Sequence, residues 1–324
     1  MKALVQVKNL SISIQKHTRL LSAVEDISFD VHEGEILGLV GESGSGKSLT
    51  ALSIAGLLGD GKKADGSIMY CGKNLLELTE PEFQRIRGKE ISMIFQEPFS
   101  SLNPLVKVGA QIAETLEIHG EKDKALIKGR VMSLMENLGF AEPEKLIHAY
   151  PGQLSGGMCQ RVMIALAVIC RPRLLIADEP TTAVDFTTQA RILDILKEIR
   201  REMGTSIVFI SHDLSLVKNF CDRTLVMYAG RILEEGCTGD VFSRPAHEYT
   251  RGLLSSIPAK AARGRPLAAI PGKVPSLEEG RPGGCPFHPR CEKAGPDCRG
   301  EFPAARAVSA AHKTRCVKWG ANDT

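Results

Sequence analysis

The sequence has no long hydrophobic run, since none of its apolar stretches approaches the roughly 20 residues that a membrane-spanning helix needs. It also lacks a strong charge of either sign. Its 41 Lys and Arg residues against 38 Asp and Glu residues leave a net charge of +3, too small to indicate a nucleic-acid partner. Residues 1–8 alternate like a strand and show no apolar core of a signal peptide. We therefore expect a chain that reaches any membrane through other proteins and binds no nucleic acid.

A phosphate-binding motif occupies residues 41–48, which read GESGSGKS and match G-x-x-x-x-G-K-[ST] in full. Apolar residues at 35–40 predict a buried strand before it, and helical spacing over 48–58 predicts a helix after it. An ordinary glycine-rich turn would not need Lys47 and Ser48 in register. We expect Lys47 to reach the β- and γ-phosphates of a nucleoside triphosphate and Ser48 to ligate Mg²⁺. The predicted nucleotide contacts are Gly41, Glu42, Ser43, Gly44, Ser45, Gly46, Lys47, Ser48 and Leu49.

Two adjacent acids follow a second apolar run. Residues 173–177 read RLLIA, and Asp178 and Glu179 come directly after them. Adjacent acids are common on solvated surfaces, but an unpaired charge at the end of a buried strand is costly unless a metal or a catalytic role compensates it. We expect Asp178 to hold the Mg²⁺ shell and Glu179 to orient or deprotonate the attacking water.

Four further motifs occur in a fixed order along the chain. Gln96 stands in FQEP, residues 154–158 read LSGGM, Asp185 ends TTAVD, and His212 follows the strand-like run 205–211. Taken singly, Gln96 or His212 would be an ordinary polar residue at a strand end. Together the motifs resemble the Q-loop, signature, D-loop and switch histidine of ATP-binding cassette (ABC) ATPases, over about residues 3–256. The resemblance implies ATP as the nucleotide. It assigns catalysis to Lys47, Gln96, Glu179 and His212, a Mg²⁺ contact to Gln96, and nucleotide contacts to Ser155, Gly156, Gly157 and Asp185.

The same resemblance implies the fold. We expect an α/β protein of the P-loop NTPase class, with the ABC ATPase domain over residues 1–256. A RecA-like core would carry an antiparallel β-subdomain, at 1–35 and 65–95, and a helical subdomain at about 97–165. Within that insert, apolar residues at three- and four-residue steps predict one face of an amphipathic helix. They are Leu126, Ile127, Val131, Leu134, Met135 and Leu138.

The signature motif implies a second subunit. In ABC ATPases each ATP lies between the phosphate loop of one subunit and the signature of the other, so two complete sites need two chains. We expect a dimer with an identical or a related ABC ATPase subunit. By resemblance, residues 98–104 and the helical insert line the groove where a permease helix docks. The implied partners are two permease subunits and, through them, an extracytoplasmic substrate-binding protein.

The cysteines are concentrated at the end of the chain. Four of the nine lie within residues 285–316, spaced C-x5-C-x6-C-x17-C, after a linker rich in Pro, Gly and Arg. The pattern resembles the C-terminal segment of oligopeptide, dipeptide and nickel ABC importers, here residues 257–324. Four thiolates suit a [4Fe-4S] cluster, which the resemblance favours. Zinc sites usually show tighter cysteine pairs, and reduced thiols in a small domain are a third reading. The candidate ligands are Cys285, Cys291, Cys298 and Cys316.

These resemblances imply an ATPase subunit that couples ATP hydrolysis to the uptake of di- or oligopeptides. It would lie peripherally on the cytoplasmic face of the inner membrane. Nickel or another small solute is the alternative cargo. A DNA-repair ABC ATPase would carry a long heptad insertion between Lys47 and Ser155, and the sequence contains none.

One position departs from the family pattern. ABC ATPases usually stack adenine on an aromatic side chain in the first strand region, where this sequence has Ile14. Base stacking is worth about 1 to 3 kcal/mol, so its loss should weaken ATP binding by roughly one to two decades. His17 is the candidate replacement for the missing ring.

Overall fold

The computed structural model describes residues 2–182, 184–257 and 269–320, which form two units. The first unit is Met1–Glu77 with Phe209–Thr324, and the second is Leu78–Val208. Ala183 of the predicted D-loop and most of the predicted linker, residues 258–268, lie outside the described residues. The proposed domain boundary at 256/257 stays a prediction.

The elements follow in chain order. Residues 2–77 contain β1 (Ala3–Lys16), β2 (Arg19–His32), β3 (Ile36–Val40), α1 (Lys47–Ile54), β4 (Lys62–Tyr70) and β5 (Lys73–Asn74). The second unit contains α2 (Glu80–Gln84), β6 (Ile91–Ile94), α3 (Pro98–Ser101), α4 (Val108–Ile118), α5 (Lys124–Asn137), α6 (Pro143–Leu146), α7 (Gly156–Val168), β7 (Leu174–Asp178) and α8 (Phe186–Met203), and β8 (Ser206–Ser211) runs on into the first unit. There follow α9 (Leu214–Phe220), β9 (Arg223–Tyr228), β10 (Arg231–Cys237), α10 (Thr238–Ser243), α11 (Glu248–Ser255), β11 (Arg306–Ser309) and β12 (His312–Thr314).

An antiparallel sheet of the first unit comes from the alternating residues near the N-terminus. Its strand order is β2-β1-β4-β5, with Ile12 opposite Val24 and Val7 opposite Phe29. These four side chains are buried, as a sheet with one face on a core requires.

A second group of strands in the first unit carries the phosphate loop. Their order is β11-β12-β10-β9-β3, where β3 and β9 are parallel and the other pairs are antiparallel. All five residues of β3 are buried, as the apolar run predicts. The C-terminal segment therefore adds its two strands, β12 and β11, to the sheet from which the phosphate loop emerges.

Helices dominate the second unit, as predicted for residues 97–165. The amphipathic pattern forms α5 and buries Ile127, Val131, Leu134 and Met135, while Leu126 is 39 % exposed and so lies outside the buried face. The predicted antiparallel pairing over 65–95 is wrong beyond Asn74. Residues 80–84 form α2, and β6 pairs parallel with β7.

No helix in the part of the chain that the structure describes is long and apolar enough to cross a bilayer.

The buried carboxylate of Glu234, on β10, joins the C-terminal segment to the rest of the first unit. It accepts hydrogen bonds from Ala246 N at 2.7 Å and His247 N at 2.9 Å, and its Oε1 lies 2.7 Å from His312 Nε2 on β12. Glu234 is 1 % exposed, so water cannot replace these partners.

We expect Glu234→Ala to lower the free energy of unfolding by about 3 kcal/mol, because it leaves one buried ring nitrogen and two buried N–H groups without this hydrogen-bond partner. Urea denaturation followed by circular dichroism measures the loss. The neighbouring Glu235→Ala is the control, since Glu235 pairs with Lys313 at the surface and should cost less than about 1 kcal/mol. Equal losses for the two variants would contradict this account.

Candidate nucleotide-binding site

The phosphate loop connects β3 to α1, which begins at Lys47 with Gly46 as its N-cap. Gly41 has φ +150°, and a Cβ there would lie 2.1 Å from the carbonyl oxygen of Met227 on β9. Gly46 has φ +99°, and a Cβ there would lie 2.9 Å from Val24 Cγ2. Only glycine fits these positions, so the backbone amides of the loop can converge at the start of α1.

Lys47 lies inside the loop. Its ammonium donates to the carbonyl oxygens of Gly41 at 2.8 Å and Glu42 at 2.9 Å, and to Ser45 Oγ at 3.2 Å. The side chain is 5 % exposed. A buried cation beside converging amides at a helix N-terminus fits an anionic phosphate chain. Ser43, Gly44 and Ser48 are exposed and Leu49 is half-buried, so the face of the loop that the motif assigns to nucleotide is accessible.

Two residues from much later in the chain hold Glu42, the second residue of the loop. The Tyr249 hydroxyl of α11 accepts a hydrogen bond from the Glu42 N–H at 2.9 Å. The Arg290 guanidinium pairs with the Glu42 carboxylate at 2.8 Å. These residues lie 207 and 248 positions from Glu42, so no local spacing in the sequence could have indicated them.

The second unit places Gln96 beside Glu179. Because β6 and β7 are parallel neighbours, the residues that follow them meet at one edge. Gln96 Nε2 donates to Glu179 Oε2 at 3.3 Å, and Thr182 Oγ1 donates to the same oxygen at 2.8 Å. Glu179 has φ +48°, an unusual conformation for a residue with a Cβ, and such strain concentrates at functional sites. Asp178, the last residue of β7, is 6 % exposed.

The signature and D-loop residues meet at Thr188 of α8. Ser155 is the N-cap of α7 and accepts a hydrogen bond from Met158 N at 3.3 Å. Gly157, in the first turn of α7, packs against Thr188, and a Cβ at Gly157 would lie only 2.8 Å from Thr188 Cγ2. Asp185 accepts from Thr188 Oγ1 at 2.6 Å and Thr188 N at 3.0 Å, and these hydrogen bonds lower the pKa of Asp185. Ser155 is exposed and Gly156 half-buried, so this helix N-terminus is open to solvent.

The two remaining predicted nucleotide residues lie in the first unit. His212 directly follows β8, as the sequence predicts, and is exposed; its catalytic role stays a prediction. Ile14 lies in β1, opposite Leu21 and Lys62, and is half-buried. Its proposed place beside adenine stays a prediction.

The four C-terminal cysteines lie near one another in the first unit. Cys285, Cys298 and Cys316 are buried and Cys291 is half-buried. Burial, chiefly, with a smaller contribution from the neighbouring thiols, raises the pKa of Cys285 to about 12. Within the described residues, however, no group of three or more His, Cys, Asp or Glu side chains has the arrangement to hold a metal ion. The geometry therefore gives no support to the predicted iron–sulfur or zinc centre.

A phosphate loop on a parallel strand, with carboxylates at the end of another parallel strand, defines a P-loop nucleotide-binding protein. The sequence matches the profile of the "ABC transporter" family over residues 24–182. Residues 233–298 match a second profile, "Oligopeptide/dipeptide transporter, C-terminal region".

Curated relatives match over nearly the whole chain. The oligopeptide transport ATP-binding protein OppD of Escherichia coli is 46 % identical over 93 % of this chain and 89 % of its own length. AppD of Bacillus subtilis, also an oligopeptide transport ATP-binding protein, is 44 % identical over 98 % of this chain and 97 % of its own. The dipeptide transport ATP-binding protein DppD of Escherichia coli is 42 % identical over 97 % and 96 %.

Solved structures agree with the fold. The ATP-binding cassette MJ0796, solved as a dimer in a post-hydrolysis state with ADP and Pi, aligns with a TM-score of 0.65 and 27 % identity over 72 % of this chain and 98 % of its own. The chain belongs to the ABC transporter family, among the ATP-binding proteins of its oligopeptide/dipeptide group. It is an ABC-type ATPase, and its family implies ATP with Mg²⁺ as ligands.

We expect Thr182→Val to lower the kcat of ATP hydrolysis by up to about tenfold, because one hydrogen bond that orients Glu179 is lost. The KM for ATP should stay near the wild-type value, since the lost hydrogen bond is to the Glu179 carboxylate, whose proposed role is in the chemical step. Steady-state ATPase kinetics measure both constants. Thr187→Val, at an exposed position of α8, is the control; an unchanged kcat for Thr182→Val would contradict the orienting role.

Proposed function

We propose that this chain is the ATP-hydrolysing subunit of an ABC importer for di- or oligopeptides. The observation that carries the proposal is the similarity to peptide-transport ATP-binding proteins along nearly the whole chain, C-terminal region included. The contact of Gln96 and Thr182 with Glu179 supports the chemistry, because it fixes one carboxylate at the end of a parallel strand.

Each residue in the proposed reaction has a defined task. Lys47 and the loop amides would bind the phosphates, while Ser48 and Asp178, with Gln96, would hold Mg²⁺, which neutralises phosphate charge when bound. Glu179 would accept the proton of the attacking water, and Gln96 orients that carboxylate. His212 would stabilise the charge that develops on the γ-phosphate. The nucleotide contacts of Ile14 and Asp185 are part of the same proposal.

The proposed partner at the signature is a second ABC ATPase subunit, identical or related. The exposed N-terminus of α7, with Ser155, Gly156 and Gly157, offers amides to an anion that another chain would supply. The dimeric form of MJ0796 supports this arrangement by analogy.

The proposed membrane partners are two permease subunits, reached through the helical insert. Phe99 and Leu105 are 55 % and 85 % exposed there, and exposed apolar side chains favour a protein partner. A substrate-binding protein would act through the permeases, on the far side of the membrane. The chain would thus lie peripherally on the cytoplasmic face, with no nucleic-acid partner.

The metal content of the cysteine segment is a separate proposal with its own measurement. A [4Fe-4S] cluster, with zinc as the alternative, would use Cys285, Cys291, Cys298 and Cys316, and its ligands would have to be deprotonated. Metal analysis and the visible absorption spectrum of anaerobically purified protein distinguish a cluster, zinc and reduced thiols.

We expect Glu179→Gln to retain ATP binding and to hydrolyse ATP at less than about a tenth of the wild-type rate, since general-base catalysis is worth about 10² to 10⁴ in rate. Nucleotide titration and phosphate release measure the two properties. Glu198→Gln, at an exposed position of α8, is the matched control and should hydrolyse normally. A Glu179→Gln enzyme with nearly normal turnover would remove Glu179 from the proposed role.

The cargo is tested in liposomes that contain this chain, co-purified with its permeases, and the binding protein. The ATPase rate is measured with short peptides or with Ni²⁺, and Glu179→Gln gives the background. Stimulation by peptides alone supports the proposal. Stimulation by Ni²⁺ alone would move the protein to metal uptake, and stimulation by neither would reject peptides as cargo.

A further inference from the structure

A buried arginine of the C-terminal segment is paired with the phosphate loop. Arg290 ends the short 3₁₀ helix His288–Arg290, and its side chain is 6 % exposed. Its Nη1 lies 2.8 Å from Oε2 of Glu42, and its Nη2 lies 3.1 Å from Oε1. Two parallel contacts of this kind form a forked pair, the arrangement in which arginine binds carboxylate most strongly.

The surroundings of Arg290 fix the guanidinium in this position. Its Nε donates to Pro271 O at 2.8 Å, and its Nη1 also donates to the Tyr228 hydroxyl at 3.3 Å. The Phe287 ring lies 5.9 Å from the guanidinium carbon and packs edge-on against Tyr228 at 5.4 Å. Burial acts to lower the pKa of Arg290, but the hydrogen bonds to Glu42 and Tyr228 raise it above its ordinary value, so the charge is retained.

Glu42 is held at its backbone as well as at its carboxylate. Tyr249 accepts the Glu42 N–H, and the Tyr249 ring packs against Tyr228 at 4.7 Å and against Phe287 at 5.2 Å. Burial, chiefly, raises the pKa of the Tyr249 hydroxyl, which therefore stays neutral. One aromatic cluster thus holds both Tyr249 and Arg290 against Glu42.

The charge of Glu42 would oppose the chemistry of the loop if it were unpaired. The start of α1 and the ammonium of Lys47 attract phosphate. A free carboxylate five residues before Lys47 would repel the same phosphate, and like charges repel strongly where the local dielectric is low. The forked contact with Arg290 neutralises that carboxylate.

We propose that Arg290 is a positioning residue of the phosphate loop: by neutralising Glu42, the C-terminal segment sets how tightly the loop binds the phosphates of ATP. The inference rests on the proposed function, because it takes ATP as the ligand of the loop. In this proposal Arg290 acts through Glu42, whose carboxylate it contacts.

The test is an equilibrium titration of the full-length chain with Mg-ATP. Arg290→Gln should raise the Kd about tenfold, and the difference should shrink as salt is added, because salt screens charge repulsion. The double variant Glu42→Gln/Arg290→Gln should recover most of the affinity, since it removes the unpaired carboxylate. Arg290→Lys keeps the positive charge but loses the forked contact, so its Kd for Mg-ATP should lie between those of the wild type and Arg290→Gln.

Lys293→Gln is the matched control. Lys293 lies in the same segment and pairs with Glu248 on α11 at 2.9 Å, so its removal cuts another ion pair of this segment without touching the loop. It should leave the Kd unchanged. A second control is the melting temperature of each variant, which shows that a binding loss is not unfolding.

Two results would overturn the inference: wild-type affinity in Arg290→Gln, or a double variant that is folded yet binds as weakly as Arg290→Gln. The second result would indicate a purely structural role for Arg290. If Arg290→Gln does not fold, Arg290→Lys and the double variant carry the same comparison. A wild-type chain that binds no Mg-ATP would instead overturn the proposed function itself, so the two failures are distinguishable.

Discussion

Backbone amides can bind a highly charged phosphate chain only where no side chain stands between them and the anion, and this constraint governs the first unit. At Gly41 a side chain would collide with the carbonyl oxygen of Met227, which lies on β9, the strand parallel to β3. The loop therefore depends on the position of β9, which in turn pairs with β10. Because β12 also pairs with β10, the C-terminal segment belongs to the structure that shapes the loop.

The second unit fixes the orientation of a carboxylate, as the general-base role proposed for Glu179 requires. Glu179 follows a buried strand in a left-handed conformation, and two donors, from Gln96 and Thr182, meet on one of its oxygens. The strain at Glu179 is tolerated because the buried strand before it and these hydrogen bonds define its place. The second unit also exposes the N-terminus of α7, whose backbone amides are available to an anion outside this chain.

Sequence patterns predict this fold well where structure is local. The buried strands β3 and β7, the helix after the phosphate loop and the face of α5 follow from apolar spacing. The parallel pairing of β6 with β7, which brings Gln96 to Glu179, was not predicted. Contacts between residues far apart in the sequence could not be predicted in this way. No periodicity connects Arg290 with Glu42 across 248 positions, or places β12 beside β10. The four cysteines and the family resemblance predicted a metal centre, but spacing along the chain does not determine how side chains are arranged in space. The described residues contain no group of three or more ligands arranged to hold a metal ion.

If residues 41–48 form the ATP site, a side chain at Gly41 should disrupt ATP binding, and Gly41→Ala adds the smallest one. The added Cβ would meet Met227 O at 2.1 Å, so the loop backbone would have to move. The measurement is Mg-ATP binding by the full-length variant, with its melting temperature in the absence of nucleotide. Gly41→Ala should remain folded, and its ATP affinity should fall by more than about a hundredfold, because several charge-assisted hydrogen bonds are lost. Wild-type affinity in Gly41→Ala would show that ATP binds elsewhere.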